Sequence, residues 1–563
     1  MKSYIKIKKA LLLFNKKRNL IAIIGLLLLM SFSRTTENNS FETIKNIDIF
    51  HSLYKELNLY YVDDIVPGEI IKKGIDAMLA SLDPYTNYIP ESQTESLKIM
   101  TTGKYGGIGA LIQKRDNYTM ISNTYENCPA AKAGLIPGDI ILEIEGKSMQ
   151  NKNSEELSEL LRGAPKTKVK LKIKKLNADK PVDIIIEREE IKMPTIPYHG
   201  MLNNSVGYIS LHDFTNTATK EVKDALLNLK KNNELKTLIL DLRGNPGGLM
   251  MEAVTMCNLF VEKNNKVVSM KGKIAQMDKD YKASDSPIDK DIKIIVLVDR
   301  ASASSSEIVA GCFQDLDRAV IVGERTFGKG LVQTTRELPY NGILKVTTAK
   351  YYTPSGRCIQ TLDYSHRNPD GSVSEVPDSL ISEFKTKNGR KVYDGGGINP
   401  DVIIKEREIN TITVDLILNN LIFDFANLYK LKHENIDSPD KFSISDSDYD
   451  DFVKFVQGKD FKYKTNTEEL LSKLIEETKK EKYYDIAQSD LEVLSTKIKE
   501  TKNSDIIKHK GEITEILNSE IISRYYYDRG TIIFELKNDP AVKKAIEIAA
   551  DDNEYNRILK PSK

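Results

Sequence analysis

The stretch Ile294–Gln333 reads IIVLVDRASASSSEIVAGCFQDLDRAVIVGERTFGKGLVQ, and it decides the fold. Its first residues, Ile294–Val298, are all apolar and mostly β-branched, as in a buried strand. A small polar corner follows and opens Ser305–Leu316, whose apolar spacing predicts a helix. A second apolar run, Ala319–Val322, leads into Lys329 between two glycines and then Val332-Gln333. The same alternation continues upstream. Val206–Leu211, Thr237–Leu242 and Ile292–Val298 read as strands, with helices over Lys220–Lys231 and Met250–Phe260. Together they predict a layered α/β core. Gly342–Tyr352 is rich in β-formers, Pro354-Ser-Gly is a turn, and Gly395-Gly-Gly-Ile-Asn-Pro-Asp closes the module.

Two residues of this stretch carry chemistry. Ser304 sits where a strand meets a helix, a corner that exposes a hydroxyl beside the free N–H groups and positive dipole end of the helix N-terminus. The competing reading is a capping box, Ser304-x-x-Glu307. Lys329, in a turn between two apolar runs, has the setting in which burial makes an amine a base; alone it would read as a solvated loop lysine. Gly323-Glu-Arg-Thr-Phe-Gly-Lys nearly matches a phosphate loop, but Gly330 replaces the required hydroxyl residue. Leu331-Val-Gln-Thr-Thr also predicts a strand where that loop needs a helix, which sets an NTPase aside. Asp241-Leu-Arg-Gly-Asn-Pro-Gly-Gly ends another strand, and Gly247 and Gly248 let the backbone turn N–H groups toward a ligand. His212 invites a Ser–His–Asp reading, yet a polar residue at a strand end explains it as well.

The rest of the chain is read around this core. Lysines and Arg18 precede the apolar run Leu20–Met30, which has the length of a signal h-region, and Ser31-Phe32-Ser33 offers a cleavage pattern. Residues 1–35 are therefore expected to be a signal peptide or signal anchor, and 36–100 a helical segment ending at Leu82-Asp-Pro-Tyr. Residues 101–190 form a small β-rich module, with strands near Tyr118–Ser122, Ile140–Ile144, Val169–Ile173 and Val182–Ile186 and a helix at Ser154–Leu161. The α/β core takes 191–408. From 409 to 563 the pattern is helical, beginning with the apolar-periodic Val414–Leu431, and carries no catalytic pattern. With 82 basic and 81 acidic residues the net charge is +1, so no nucleic-acid partner is implied. Cys128, Cys257, Cys312 and Cys358 lack any zinc or redox spacing and read as free thiols.

Four motifs in order resemble those of the carboxyl-terminal processing peptidases, Ser–Lys endopeptidases of bacterial envelopes and thylakoids. They are Gly107-Ile-Gly-Ala with Pro129-Ala-Ala-Lys-Ala-Gly-Leu-Ile-Pro-Gly-Asp, Asp241-Leu-Arg-Gly-Asn-Pro-Gly-Gly, Ser302-Ala-Ser-Ser-Ser-Glu-Ile, and Thr326-Phe-Gly-Lys-Gly-x-Val-Gln. The resemblance spans about residues 40 to 404. It implies a multidomain α+β protein: a crotonase-like α/β peptidase core, a PDZ domain at 101–190, and helical segments at both ends. By that resemblance Ser304 is the nucleophile, Lys329 the general base and Gln333 its orienting partner. The N–H of Ser305 and that of Gly247 or Gly248 form the oxyanion hole, and Asp315 has a supporting role. The family usually has alanine where this chain has Ser305, so the choice among Ser302, Ser304 and Ser305 rests on register.

The resemblance further implies that Gly107, Ile108, Gly109 and Ala110 hold the carboxylate of a substrate tail, with Lys104 nearby. No metal or cofactor is called for. Expected partners are protein substrates with apolar or unstructured C-termini, an adaptor protein, and the membrane if the N-terminal segment stays uncleaved. The expected location is the cell envelope, periplasmic, either soluble or anchored to the inner membrane. The alternatives are a catalytically silent PDZ scaffold of the envelope and a Ser–His hydrolase using His212 or His199.

Overall fold

The computed structural model describes residues 40–561, apart from Asp179, Asn232, Glu406, Asp460 and Lys462. The expected signal segment, 1–35, lies outside the described residues. The chain divides into two units, Met1–Tyr88 and Ile89–Lys563. In the first, residues 40–60 and Pro67–Ala80 are helical, the latter started by a proline at its first turn.

The second unit is built on a six-stranded sheet. Its strands are β1 (His199–Met201), β2 (Val206–Ser210), β3 (Thr237–Asp241), β4 (Lys293–Val298), β5 (Val320–Gly323) and β6 (Val402–Ile403). They lie in that order; β1 is antiparallel to β2, and the rest are parallel. The connecting helices α1 (Ala218–Lys231), α2 (Met250–Asn258) and α3 (Ser305–Asp315) share one face. Side chains alternate along each strand, so Leu238, Leu240, Ile294 and Val296 point into that helical layer. Their neighbours Tyr208, Ile239, Ile295 and Leu297 point the other way and are buried against Val542, Ala545 and Ile548 of the helix Pro540–Ala550. Two-sided burial explains the unbroken apolar runs in the sequence. Cys257 and Cys312, on α2 and α3, are buried in the helical layer.

The β-rich module has five main strands, ordered Ala110–Arg115, Tyr118–Thr124, Ile140–Ile144, Lys168–Lys174 and Val182–Glu187, around a core closed by Leu157 and Leu161 of the helix Ser154–Leu161. Among the described residues Ala110–Arg115 is an edge strand, paired on one side only. The apolar run expected as one element from Val414 is two helices, Thr411–Leu418 and Leu421–Lys432. Asn420 between them adopts φ 58°, a left-handed conformation asparagine tolerates, and this breaks the run. These helices, Asp446–Gln457 and the first half of Lys510–Leu536 enclose a second core. The helices beyond 536 pack instead on the six-stranded sheet, where the Tyr555 hydroxyl lies 3.2 Å from the Ile294 N–H and 3.1 Å from its carbonyl.

At the C-terminal end of α3, Asp315 meets Arg357 at 2.8 Å, their side chains 0% and 1% exposed. The Arg357 guanidinium also donates to Gln314 Oε1 at 2.7 Å, and Asp315 Oδ2 accepts the Ser355 N–H. A buried charge stripped of its partner is strongly unfavourable. Arg357→Met should therefore cost about 3–5 kcal/mol, and adding Asp315→Leu should recover most of it, read from thermal and urea melts.

Candidate active site

Ser304 is the N-cap of α3, with φ 56° and ψ −112°. Positive φ at a residue with a Cβ is strained by about 1–3 kcal/mol and persists only where surroundings enforce it. Here the Ser304 N–H donates to Glu307 Oε2 at 2.8 Å, so the backbone half of the capping box is formed. The same oxygen accepts the Lys329 N–H at 2.8 Å. Glu307 Oε1 accepts the Gly328 N–H at 2.7 Å and the Thr326 hydroxyl at 2.6 Å. One buried carboxylate thus takes four hydrogen bonds and binds the serine corner to the lysine loop. From the other side, the Tyr351 hydroxyl lies 2.6 Å from the Lys329 carbonyl and 3.1 Å from that of Ser304.

The serine run separates by what each hydroxyl does. Ser302 Oγ donates to the Leu242 carbonyl at 2.8 Å, Ser305 Oγ to Gly248 at 3.1 Å and Ser306 Oγ to Asn245 at 3.0 Å. All three residues are buried, whereas Ser304 is half-exposed. Gly247 lies against this corner with φ 103°; a Cβ there would stand 2.7 Å from the Ser304 Cβ and 2.8 Å from the Ala303 carbonyl. Asn245 shapes the turn by accepting the Gly247 N–H at 2.8 Å. That N–H is therefore occupied. Among the described residues, those of Gly248 and Ser305 donate to no protein acceptor. Asp299 ties the two loops together, accepting the N–H groups of Gly244, Ala301 and Ser302 at 2.9–3.0 Å.

Lys329 is half-buried at the end of this clamp. The chain leaves it as the strand Leu331–Glu337, not a helix, so the phosphate-loop likeness has no structural counterpart. Gln333 sits just past a bulge in that strand, and its amide donates to Thr347 Oγ1 at 3.2 Å. His212 is exposed just past the end of β2, with its N–H on the Thr195 carbonyl, and among the described residues no hydrogen bond joins it to Ser304.

In the β-rich module, the Ile108 carbonyl accepts the Ala130 N–H at 2.8 Å and that of Gly109 accepts the Tyr125 N–H at 3.0 Å. Because each peptide group is planar and trans, inward carbonyls turn the N–H groups of Gly109 and Ala110 outward. Gly109 has φ 72°, and a Cβ there would collide with Cys128. The outward N–H groups face a cleft of about 200 Å³, lined by Ile99, Ile108, Ile112, Leu161, Arg162 and Met193. Lys104 is paired with Glu190 at 2.8 Å instead. The cation of the cleft is Arg162, whose guanidinium lies 5.7 Å from the Tyr105 ring centre. Sequence reading missed Arg162, although it directly follows the amphipathic helix Ser154–Leu161. It also read Glu307 only as a cap.

Burial pushes the Glu307 carboxyl up to about 7, against the pull of its four donors. Its folded pKa thus lies above the ordinary 4.5. The stability it lends is fully present below that value and is lost as pH rises through 7. Between pH 5 and pH 8 wild-type protein should lose on the order of 3 kcal/mol more stability than Glu307→Gln, measured from denaturant midpoints.

Residues 205–370 match Peptidase family S41, 120–175 match a PDZ domain, and 412–549 match "Probable PDZ-protease, C-terminal helical domain". A carboxy-terminal-processing protease of Bartonella bacilliformis is 36% identical over 337 residues, covering 59% of this chain and 77% of that protein. A Staphylococcus aureus protein named "Probable CtpA-like serine protease" is 37% identical over 320 residues, covering 56% of this chain and 62% of its own length. Among solved structures, the photosystem II D1 C-terminal processing protease aligns with 62% of this chain and 85% of its own at 25% identity, with a TM-score of 0.35. The chain belongs to the carboxy-terminal-processing proteases of peptidase family S41, and it is a serine-type peptidase carrying a PDZ domain and a C-terminal helical domain.

Proposed function

We propose that this peptidase is an exported endopeptidase that recognises substrate C-termini in its PDZ groove and cuts with a Ser304–Lys329 dyad. The observation that carries the dyad is the shared Glu307 carboxylate, which holds both backbones on one oxygen. Ser304 is also the residue of its run that is half-exposed at a strained corner. In this reading the neutral Lys329 amine takes the Ser304 proton, Oγ attacks the carbonyl, and water later releases the acyl-enzyme. The developing oxyanion is received by the N–H groups of Ser305 and Gly248, since the Gly247 donor is already used by Asn245. Gln333 steadies the lysine loop from the adjoining strand.

The tail adds as a strand along Ala110–Arg115, its carboxylate on the outward N–H groups of Gly109 and Ala110, with Arg162 as the nearby cation. The apolar cleft fits the last side chain of an unstructured, apolar tail. Export rests on the N-terminal sequence alone; among the described residues no helix is long and apolar enough to cross a membrane.

Ser304→Ala and Lys329→Ala should each lower kcat by about 10³-fold or more on an unfolded reporter with an apolar tail. Amidating the reporter's C-terminus should raise KM about tenfold with kcat little changed, because it removes the carboxylate charge. Activity that survives Lys329→Ala would direct attention to a histidine base. Tight reporter binding without cleavage by the intact chain would favour a scaffold.

A further inference from the structure

The cleft beside the outward N–H groups of Gly109 and Ala110 has two kinds of wall. The inner wall belongs to the core of the β-rich module, where Ile108 and Leu161 are 2% and 5% exposed. The outer wall does not. Ile99, on the helix Thr94–Thr102, and Met193, just past the strand Glu189–Lys192, lie outside the expected module 101–190 on either side, and both are half-buried. Backbone pairing brings them together. The strands Lys104–Gly107 and Glu189–Lys192 are antiparallel, with Lys104 opposite Lys192. Gly103 extends that ladder: its carbonyl accepts the Met193 N–H at 2.8 Å, and its own N–H donates to the Ile99 carbonyl at 2.8 Å. It holds φ 64°, the left-handed turn with which a glycine ends a helix.

The same ladder puts this wall at the carboxylate end of the cleft. Ile191 faces Tyr105 across it, and Ile191 Cδ1 stands 3.2 Å from where a Gly109 Cβ would be. Met193 continues the ladder two residues on, so its side chain falls on the same side as that of Ile191. Tyr105 in turn carries the Arg162 guanidinium 5.7 Å from its ring centre. An apolar cavity of about 150 Å³ holds one benzene ring. A cleft of about 200 Å³ against the Gly109 and Ala110 N–H groups therefore has room for the last residue of a tail, and its walls touch that residue. We propose that Ile99 and Met193 set the size of the substrate's terminal side chain: with both present the cleft takes an aliphatic side chain such as leucine and rejects an indole. Ile108 and Leu161 are committed to the module's core, whereas Ile99 and Met193 stand outside it and can differ in volume without disturbing it. The segments that join the PDZ domain to the rest of the chain thus complete its specificity pocket. The inference rests on the tail-binding reading above.

The test uses the full chain and unfolded reporters that differ only in their last residue, alanine, leucine or tryptophan, each with a free and an amidated C-terminus. Wild-type enzyme should show a KM about tenfold lower for the free leucine reporter than for either of the others. Ile99→Ala and Met193→Ala open the outer wall and should bring the tryptophan reporter to within about twofold of the leucine one, or below it. Ile99→Phe narrows the cleft and should move the preference toward alanine. Shifts in opposite directions at one position are not produced by a general loss of stability. A leucine preference of the same margin in all three variants overturns the assignment. So does an equal rise in KM for every reporter, which marks a structural role. Should amidation affect no reporter, the tail reading itself fails; should amidation raise KM while the last side chain makes no difference to the wild type, only the size assignment fails.

Discussion

The active-site half of this protein hangs on the side chain of Glu307. Its carboxylate offers four in-plane lone-pair directions, and Ser304, Gly328, Lys329 and Thr326 fill them. Tyr351 completes the clamp from below by bridging the carbonyls of Ser304 and Lys329. The donors and acceptors of two peptide groups far apart in sequence are thereby fixed against one another. That is what keeps a serine at φ 56° and holds a glycine-flanked loop in place. The position near the start of α3 helps, since a negative charge is favoured in the first turn of a helix. Burial works against it and raises the pKa toward 7. The ionised form alone can accept all four donors, because a protonated carboxyl must give up one of these sites to its own proton. Above a pH of about 7 the site therefore holds a charge at some cost to stability, a common arrangement where geometry matters more than fold strength.

The sheet beneath this clamp is finished by distant sequence. One face is covered by α1–α3, whose loops deliver Ser304 and the glycines of 247–248 to the same edge. The other face is covered by helices after residue 540, close to the chain's end. A charge relay of structure links the two ends as well. Tyr208 donates to Asp241 at 2.7 Å, Asp241 pairs with Arg243 at 2.6 Å, and Arg243 reaches Asp539 at 2.6 Å. Asp539 in turn caps the helix Pro540–Ala550 through the N–H groups of Ala541 and Val542. The loop that carries the glycines is therefore braced by the helix that seals the sheet.

Much of this was legible in the sequence, and the reasons for the exceptions are physical. The parallel strands announced themselves because two-sided burial writes continuous apolar runs, as in Ile294–Val298. The serine corner was visible as a strand-to-helix junction. What an apolar pattern does not carry is the identity of its partner. Val542, Ala545 and Ile548 lie in the stretch 409–563 that was expected only to be helical, and only the fold shows them on the peptidase sheet. Glu307 was present in the capping-box pattern, but its bonds to Gly328 and Lys329 are long-range and leave no local signature. The run from Val414 hid its break because Asn419-Asn420 interrupts apolar spacing without a glycine or proline.

The groove and the serine corner are joined through short chain segments cross-linked by hydrogen bonds. Met193 lines the groove, and its N–H donates to the Gly103 carbonyl. Two residues on, buried Thr195 shares a hydroxyl contact of 3.1 Å with Thr215. The Phe214 backbone beside it accepts the Leu249 N–H at 2.8 Å and donates to the Gly247 carbonyl at 2.9 Å. Gly248 has no room for a side chain, since a Cβ would stand 2.5 Å from the Phe214 carbonyl. Contiguity of this kind does not by itself establish coupling. It does constrain geometry: the turn that flanks Ser304 is registered, residue by residue, to the segment that walls the groove. Under the proposed reading, the span between a bound carboxylate and the cleavage point is then set by packed backbone rather than by a slack linker.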